Sequence, residues 1–154
     1  MQCSFCTDRE RRFMTAAIEL ARQAGNCGEV PVGAVVVRGD TVIGTGRNRR
    51  EQLGSAVAHA EIEAIESACR NLGGWRLSGC ELYVTLEPCP MCAGAIINSR
   101  IDRVVYGAPD PKAGSAGSLF DMFELPYNHH PRVKSGVMGD ECAEMLSDFF
   151  NNLR

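Results

Sequence analysis

An α/β fold is what this sequence predicts, and three pairs of stretches predict it. Residues 30–37 and 41–46 are β-branched runs around Arg38-Gly39-Asp40, which reads as a hairpin. Residues 58–72 and 89–99 carry apolar side chains at helical spacing. Residues 81–86 and 103–107 read as strands on either side of the second of these helices. A strand-helix-strand unit of that kind crosses over right-handed and pairs its strands in parallel.

The remaining elements follow in order. Thr7 and Glu10 make a Thr-x-x-Glu capping box, and Phe13, Ala17, Leu20, Ala21 and Ala24 continue at helical spacing to a stop at Gly25. Residues 47–51, with Arg47, Asn48, Arg49 and Arg50, form a polar loop before the helix of residues 58–72. That helix packs Ile62, Ile65, Ala68, Cys69 and Leu72 inward and stops at Gly73-Gly74. Residues 108–118 are a Gly-, Pro- and Ala-rich loop, residues 119–123 a short helix, 125–130 a loop and 132–137 a short strand. Asp140 caps a last helix over 141–152, with Cys142, Met145, Leu146 and Phe149 inward and Phe150 off that stripe.

No repeat or linker interrupts the chain, so residues 1–154 form a single domain, with 1–7 a frayed N-terminal extension. Hydrophobic content of 45% and charged content of 23% are those of a globular protein. The N-terminus has no apolar signal core and no later stretch is apolar enough to span a bilayer, which points to a cytoplasmic protein without membrane contact. Eight cysteines do not make a disulfide scaffold in a chain large enough to bury a core. Cys27, Cys69, Cys80 and Cys142 are expected as buried free thiols, and Cys3 and Cys6 as an adventitious pair. The net charge of −3 is not that of a general nucleic-acid binder, so an RNA substrate calls for a local basic patch.

The chemistry gathers in Pro88-Cys89-Pro90-Met91-Cys92 and His59-Ala60-Glu61. Two Cys at C-x-x-C spacing plus one His form a Cys₂His set that suits Zn²⁺. Three protein ligands leave a position open, as catalytic zinc requires, and Glu61 is not needed as a fourth. Pro90 fits a first helical turn, which puts Cys89 and Cys92 on one face at a helix N-terminus, where thiolates are favoured. Glu61, two positions from His59, does not share its face of a regular helix; that suits a residue meant for the attacking water rather than the metal.

Residues 83–100 (Tyr-Val-Thr-Leu-Glu-Pro-Cys-Pro-Met-Cys-Ala-Gly-Ala-Ile-Ile-Asn-Ser-Arg) resemble the tRNA-specific adenosine deaminases of bacteria. So do Pro31-Val32-Gly33-Ala34-Val35, His59-Ala60-Glu61-Ile62, Gly114-Ser115-Ala116-Gly117-Ser118 and Asn128-His129. The zinc motif alone is shared with cytidine, deoxycytidylate, guanine and riboflavin-pathway deaminases; the loop and C-terminal matches select the tRNA branch. The resemblance implies a three-layer α-β-α sandwich of cytidine-deaminase type, with a mixed five-stranded sheet. It implies a homodimer whose two halves build each RNA site, and conversion of the wobble adenosine of a tRNA anticodon to inosine. His59, Cys89 and Cys92 would hold Zn²⁺, one ion per subunit, and Glu61 would carry the protons. Asn48 matches the purine-contacting residue, and Asp110, Lys112, Asn128, His129, Phe149 and Phe150 match anticodon-loop contacts. Glu87 is either a substrate-contacting or supporting carboxylate, or a plain turn residue. Arg47, Arg100, Lys112 and Arg132 are candidates to position phosphates. The same zinc residues would also serve a small-molecule guanine or cytidine deaminase, and a non-enzymatic zinc-stabilised domain would need a fourth ligand.

Overall fold

Five strands form one mixed sheet in the order β2-β1-β3-β4-β5. The structure, a computed structural model, describes residues 5–153. The hairpin pairs β1 (Gly33–Arg38) antiparallel with β2 (Thr41–Arg47), and β1 also pairs antiparallel with β3 (Cys80–Leu86). Strands β4 (Arg103–Ala108) and β5 (Arg132–Lys134) extend the sheet in parallel from β3, as the crossover rule requires. Helices α1 (Asp8–Asn26) and α5 (Gly139–Asn152) cover one face, around Phe13, Met14, Tyr83 and Cys142. Helices α3 (Ala60–Leu72) and α4 (Pro90–Ser99) cover the other, around Ala64, Leu82, Ile96 and Val104. The three-layer α/β architecture is therefore the one the sequence implied.

The capping box at Thr7 forms in full, with the Glu10 amide donating to the Thr7 hydroxyl and Glu10 accepting from the Thr7 amide. Residues 1–4 of the expected frayed extension, Cys3 among them, lie outside the described residues. The part that is described is tied down: Lys134 Nζ donates to the Phe5 carbonyl at 2.8 Å. Glu10 is buried on α1 and pairs with Arg103 of β4 and Lys134 of β5, while Arg103 also holds Glu81 of β3 at 2.8 Å. This ion cluster fastens α1 to the end of the sheet where β3 and β4 begin.

Several boundaries move for physical reasons. Strand β1 starts at Gly33 rather than residue 30, because Pro31 has no amide and the Val32 amide turns back to the Val30 carbonyl. The polar loop contains a short helix, α2 (Arg50–Leu53), closed by Gly54 at φ +57°. The helix expected at 119–123 is a single 3₁₀ turn at Met122–Glu124, capped by the Asp121 carboxylate. Strand β5 ends at Lys134. Helix α5 begins at Gly139 after Met138 adopts φ +54°, so Asp140 sits in the first turn rather than at the cap. Its Met145, Leu146 and Phe149 are half-buried and only Cys142 is fully inside. Of the thiols expected inside, Cys80 and Cys142 are buried, Cys69 is half-buried and Cys27 is exposed.

One close approach sets the site. Helix α3 lies with its backbone against β2, where a Cβ on Gly46 would stand 2.2 Å from the Ala60 carbonyl oxygen. A Cβ on Gly44 would stand 2.4 Å from that of Ala64. Only glycine fits at such contacts. They seat the first turn of α3, and with it Glu61, against the sheet.

Candidate active site

The N-termini of α3 and α4 meet at the end of the sheet where β3 delivers Glu87-Pro88-Cys89. Cys89 is the N-cap of α4 and Pro90 its first helical residue, a position whose missing amide costs nothing. Cys92, one turn on, is buried. His59 does not open α3 from within, as the spacing suggested, but is its N-cap with extended backbone at φ −82° and ψ 153°. The helical offset between positions i and i+2 therefore does not separate His59 from Glu61, and both line one pocket of about 210 Å³.

His59 Nδ1 lies 3.6 Å from Cys89 Sγ and 3.5 Å from Cys92 Sγ. A tetrahedral zinc with bonds of about 2.05 Å to nitrogen and about 2.3 Å to sulfur sets that separation at about 3.6 Å. The three ligand atoms fall within 4.8 Å of one another, so the residues present fit the ion. Their electrostatics agree. A hydrogen bond from Cys92 pulls the Cys89 thiol down to about 4 against the cost of burial, and His59 adds to the effect. The Cys92 thiol is driven the other way, far up, by Cys89, by burial and by Glu61. Contact with the Cys89 thiolate also raises the His59 imidazole. A thiolate, a second thiol and a buried carboxylate around one imidazole form a site that a divalent cation completes.

Glu61 is 4% exposed, and burial pushes its carboxyl up to about 7. The neighbouring Cys89 thiolate raises it further, while its own amide, His59 and Cys92 oppose. A carboxyl that titrates near neutrality can both take and give a proton.

Residues 7–108 match the family model of the cytidine and deoxycytidylate deaminase zinc-binding region. The chain is 49% identical over 147 residues to a tRNA-specific adenosine deaminase of Bacillus subtilis, covering 95% of this chain and 91% of that protein. It is 50% identical over 143 residues to the one from Agrobacterium fabrum, covering 92% and 94%. The chain belongs to the tRNA-specific adenosine deaminases. A solved tRNA:A34 deaminase, from a study of A-to-I editing at the wobble position of transfer RNA, superposes with a TM-score of 0.84 at 50% identity over 87% of this chain and 98% of that one. A guanine deaminase from Nitrosomonas europaea is more distant, at 26% identity and a TM-score of 0.76 over 97% and 85%. Zn²⁺ is the cofactor that the family and this donor set share.

The other residues singled out in the sequence separate into three groups. Asn48, Glu87 and Asp110 line the pocket with His59 and Glu61. Asn48 is 7% exposed; its Nδ2 donates to the Val30 carbonyl at 3.1 Å and its Oδ1 accepts from the Arg50 amide at 3.2 Å. That fixes the amide's orientation and leaves one N–H and one lone pair for a ligand. Glu87 is 2% exposed and both its oxygens are engaged. They accept from the amides of Asp110, Ala116 and Ser118 and from the Ser118 hydroxyl. These bonds hold its carboxyl below the usual range although burial pushes the other way. The 110–118 loop is thus tied to this carboxylate by three amides and a hydroxyl, and to the neighbouring Pro88 carbonyl by the Ser115 amide at 2.9 Å. Gly114 is pressed against the carboxylate, where a Cβ would lie 2.4 Å from Glu87 Cδ.

Asp110 in turn accepts from the amides of Lys112 and Ala113, leaving the Lys112 side chain exposed on the loop. The last group lies elsewhere. His129 Nε2 donates to the Ile101 carbonyl at 2.7 Å, and Asn128 precedes it, exposed, so both stand near the start of β4, at the opposite end of that strand from Asp110. Arg132 opens β5 at the same end, and Arg100 caps the far terminus of α4. Phe149 and Phe150 meet edge to face near the end of α5 with Phe150 46% exposed.

Glu29 was missed in the sequence. It is 2% exposed and accepts the amides of Glu51 and Gln52 at 3.0 and 2.7 Å. Its only signal is an acidic residue set between Gly28, which stops α1 at φ +82°, and the apolar run beginning at Val30.

Proposed function

We propose that the chain deaminates the wobble adenosine of a tRNA anticodon to inosine, with water consumed and ammonia released. One observation carries this: His59, Cys89 and Cys92 stand at zinc-ligand separations beside a buried Glu61, in a chain half identical to tRNA-specific adenosine deaminases. The bound metal supplies a Lewis-acid centre that makes a water nucleophilic at neutral pH. Glu61 does the proton work. It takes a proton from the attacking water and hands it to ring N1, which makes C6 the better electrophile. It then takes the second proton, from the hydroxyl now on C6, and delivers it to the amine, so that the C6–N bond breaks, C6 becomes the carbonyl of inosine and ammonia leaves. A carboxyl raised to about 7 suits both transfers.

Asn48 holds the base through the donor and acceptor that its own network leaves open. Asp110 flanks the nucleotide from the opposite wall, and Lys112 meets a phosphate. An unpaired anticodon nucleotide is cheaper to extrude than one in a duplex, which suits a base-sized pocket of about 210 Å³. Asn128, His129, Phe149 and Phe150 sit away from this chain's own pocket, so their RNA contacts are assigned to a homodimer in which one copy serves its partner's site. No helix among the described residues is long and apolar enough to cross a membrane.

The test offers the purified protein an arginine-tRNA anticodon stem-loop with adenosine at the wobble position, in parallel with free adenosine, guanine and cytidine. Loss of the amine is read by mass spectrometry. Inosine in the RNA alone is expected. Turnover of a free base or nucleoside with the RNA untouched would keep the zinc chemistry and discard the tRNA assignment.

A further inference from the structure

A further buried carboxylate, Glu29, stands behind the pocket wall opposite the 110–118 loop. Glu29 leaves α1 at a fixed position, since its amide donates to the Ala24 carbonyl at 3.0 Å. Its two oxygens then take the amides of two consecutive residues, Glu51 and Gln52, in the first turn of α2. Those amides have no partner within a helix of four residues. The same two segments are joined again at Asn48, whose amide donates to the Val32 carbonyl at 3.0 Å and whose side chain bridges the Val30 carbonyl and the Arg50 amide. Val30, Val32, Asn48 and Arg50 all line the pocket. The wall thus consists of two loop segments joined by a short ladder that continues outward from the β1–β2 hairpin, and Glu29 closes the end of that ladder farthest from the strands.

Burying a carboxylate is costly unless its charge is hydrogen-bonded. Two adjacent amides need two acceptor oxygens from one side chain. A carboxylate offers them, whereas a carboxamide offers one oxygen and turns an NH₂ towards the other amide.

We propose that Glu29 is a positioning residue for substrate recognition: by holding the first turn of α2 it fixes the Asn48 side chain in the orientation that meets the base. This rests on the proposed function only for the identity of that base. Glu29 lies among neither the metal ligands nor the residues beside Glu61, so its loss falls on binding before it falls on the chemical step.

The wild-type protein is first offered the anticodon stem-loop, adenosine, guanine and cytidine, which tests the proposed function by itself. Glu29→Gln, Asn48→Ala and the double variant are then compared on whichever substrate the wild type turns over. Glu29→Gln is expected to raise KM about tenfold with a smaller fall in kcat and unchanged zinc content. In the Asn48→Ala background the same substitution is expected to add little, because residues acting through one contact are not additive. A KM within about twofold of wild type, or full additivity in the double variant, overturns the proposal. Amide hydrogen exchange on the wild type gives a second reading that needs no variant to fold: the Glu51 and Gln52 amides are expected to be protected, and rapid exchange at both overturns the proposal.

Discussion

Replacing Glu87 with Gln tests whether its carboxylate holds the 110–118 loop. One oxygen of Glu87 accepts from the Asp110 amide and the Ser118 hydroxyl, the other from the Ala116 and Ser118 amides, each amide at 3.0 Å. A glutamine keeps its oxygen towards Ala116 and Ser118 and turns its NH₂ to the first pair. The Ser118 hydroxyl can rotate and accept, but the Asp110 amide cannot. One charged hydrogen bond is lost at a buried donor, a cost of about 1.5–3 kcal/mol. For a chain of this size that lowers Tm by about 3–12 °C. Glu87→Ala strands all three amides and costs about 3–5 kcal/mol. Circular dichroism gives the melting shift, and hydrogen exchange shows where it arises, with faster exchange expected at Asp110, Ala116 and Ser118. A Glu87→Gln protein with wild-type Tm and wild-type protection at those three amides would refute the reasoning.

Three further outcomes follow from the same geometry. Glu61→Gln keeps the fold and stoichiometric metal by elemental analysis, while kcat falls by about 10²–10⁴-fold; full activity would remove Glu61 from the proton path. Gly46→Ala places a methyl 2.2 Å from the Ala60 carbonyl oxygen. Helix α3 must then back away, at a cost of about 1–3 kcal/mol in urea unfolding, with weaker metal retention because His59 and Glu61 move together. Glu10 is held at about 2, against an ordinary 4.5: burial raises it, but hydrogen bonds from Lys134, the Thr7 amide and Arg103 win. Its folded value is the lower one, so its contribution is complete above pH 4.5 and disappears as pH falls towards 2. The loss is at most about 3 kcal/mol. Glu10→Gln should flatten the acid limb of the stability profile between those values, and an unchanged acid limb would contradict it.

Much of this arrangement was legible in the residues because local chemistry dictates it. Thr7 and Glu10 announce a helix start through reciprocal capping, and Pro90 after Cys89 announces another. The His59, Cys89 and Cys92 set is readable because metal ligation restricts residue types and spacing more severely than packing does. What escaped depends on contacts between distant segments. Helix α2 has four residues and buries none of them, so no apolar period marks it. It is held by Glu29, 22 residues from Glu51. Glu87 read equally well as a turn residue, since its four donors come from a loop more than twenty residues on. Phe149 was expected inside from the stripe of α5, yet only Cys142 of that helix is buried. An amphipathic pattern names the face that turns inward but not how much of it the sheet can cover.

The central claim is that His59, Cys89, Cys92 and Glu61 together deaminate adenosine within RNA. The most direct measurement follows inosine formation in the wobble position of the anticodon stem-loop by zinc-loaded wild-type protein and by zinc-loaded Glu61→Gln protein at equal concentration. Metal content is measured on the same samples. Complete conversion by the first, and inosine formation at least about a hundredfold slower by the second, with equal zinc, is the predicted result. Equal conversion by both, or none by a fully metallated wild type, would contradict the account.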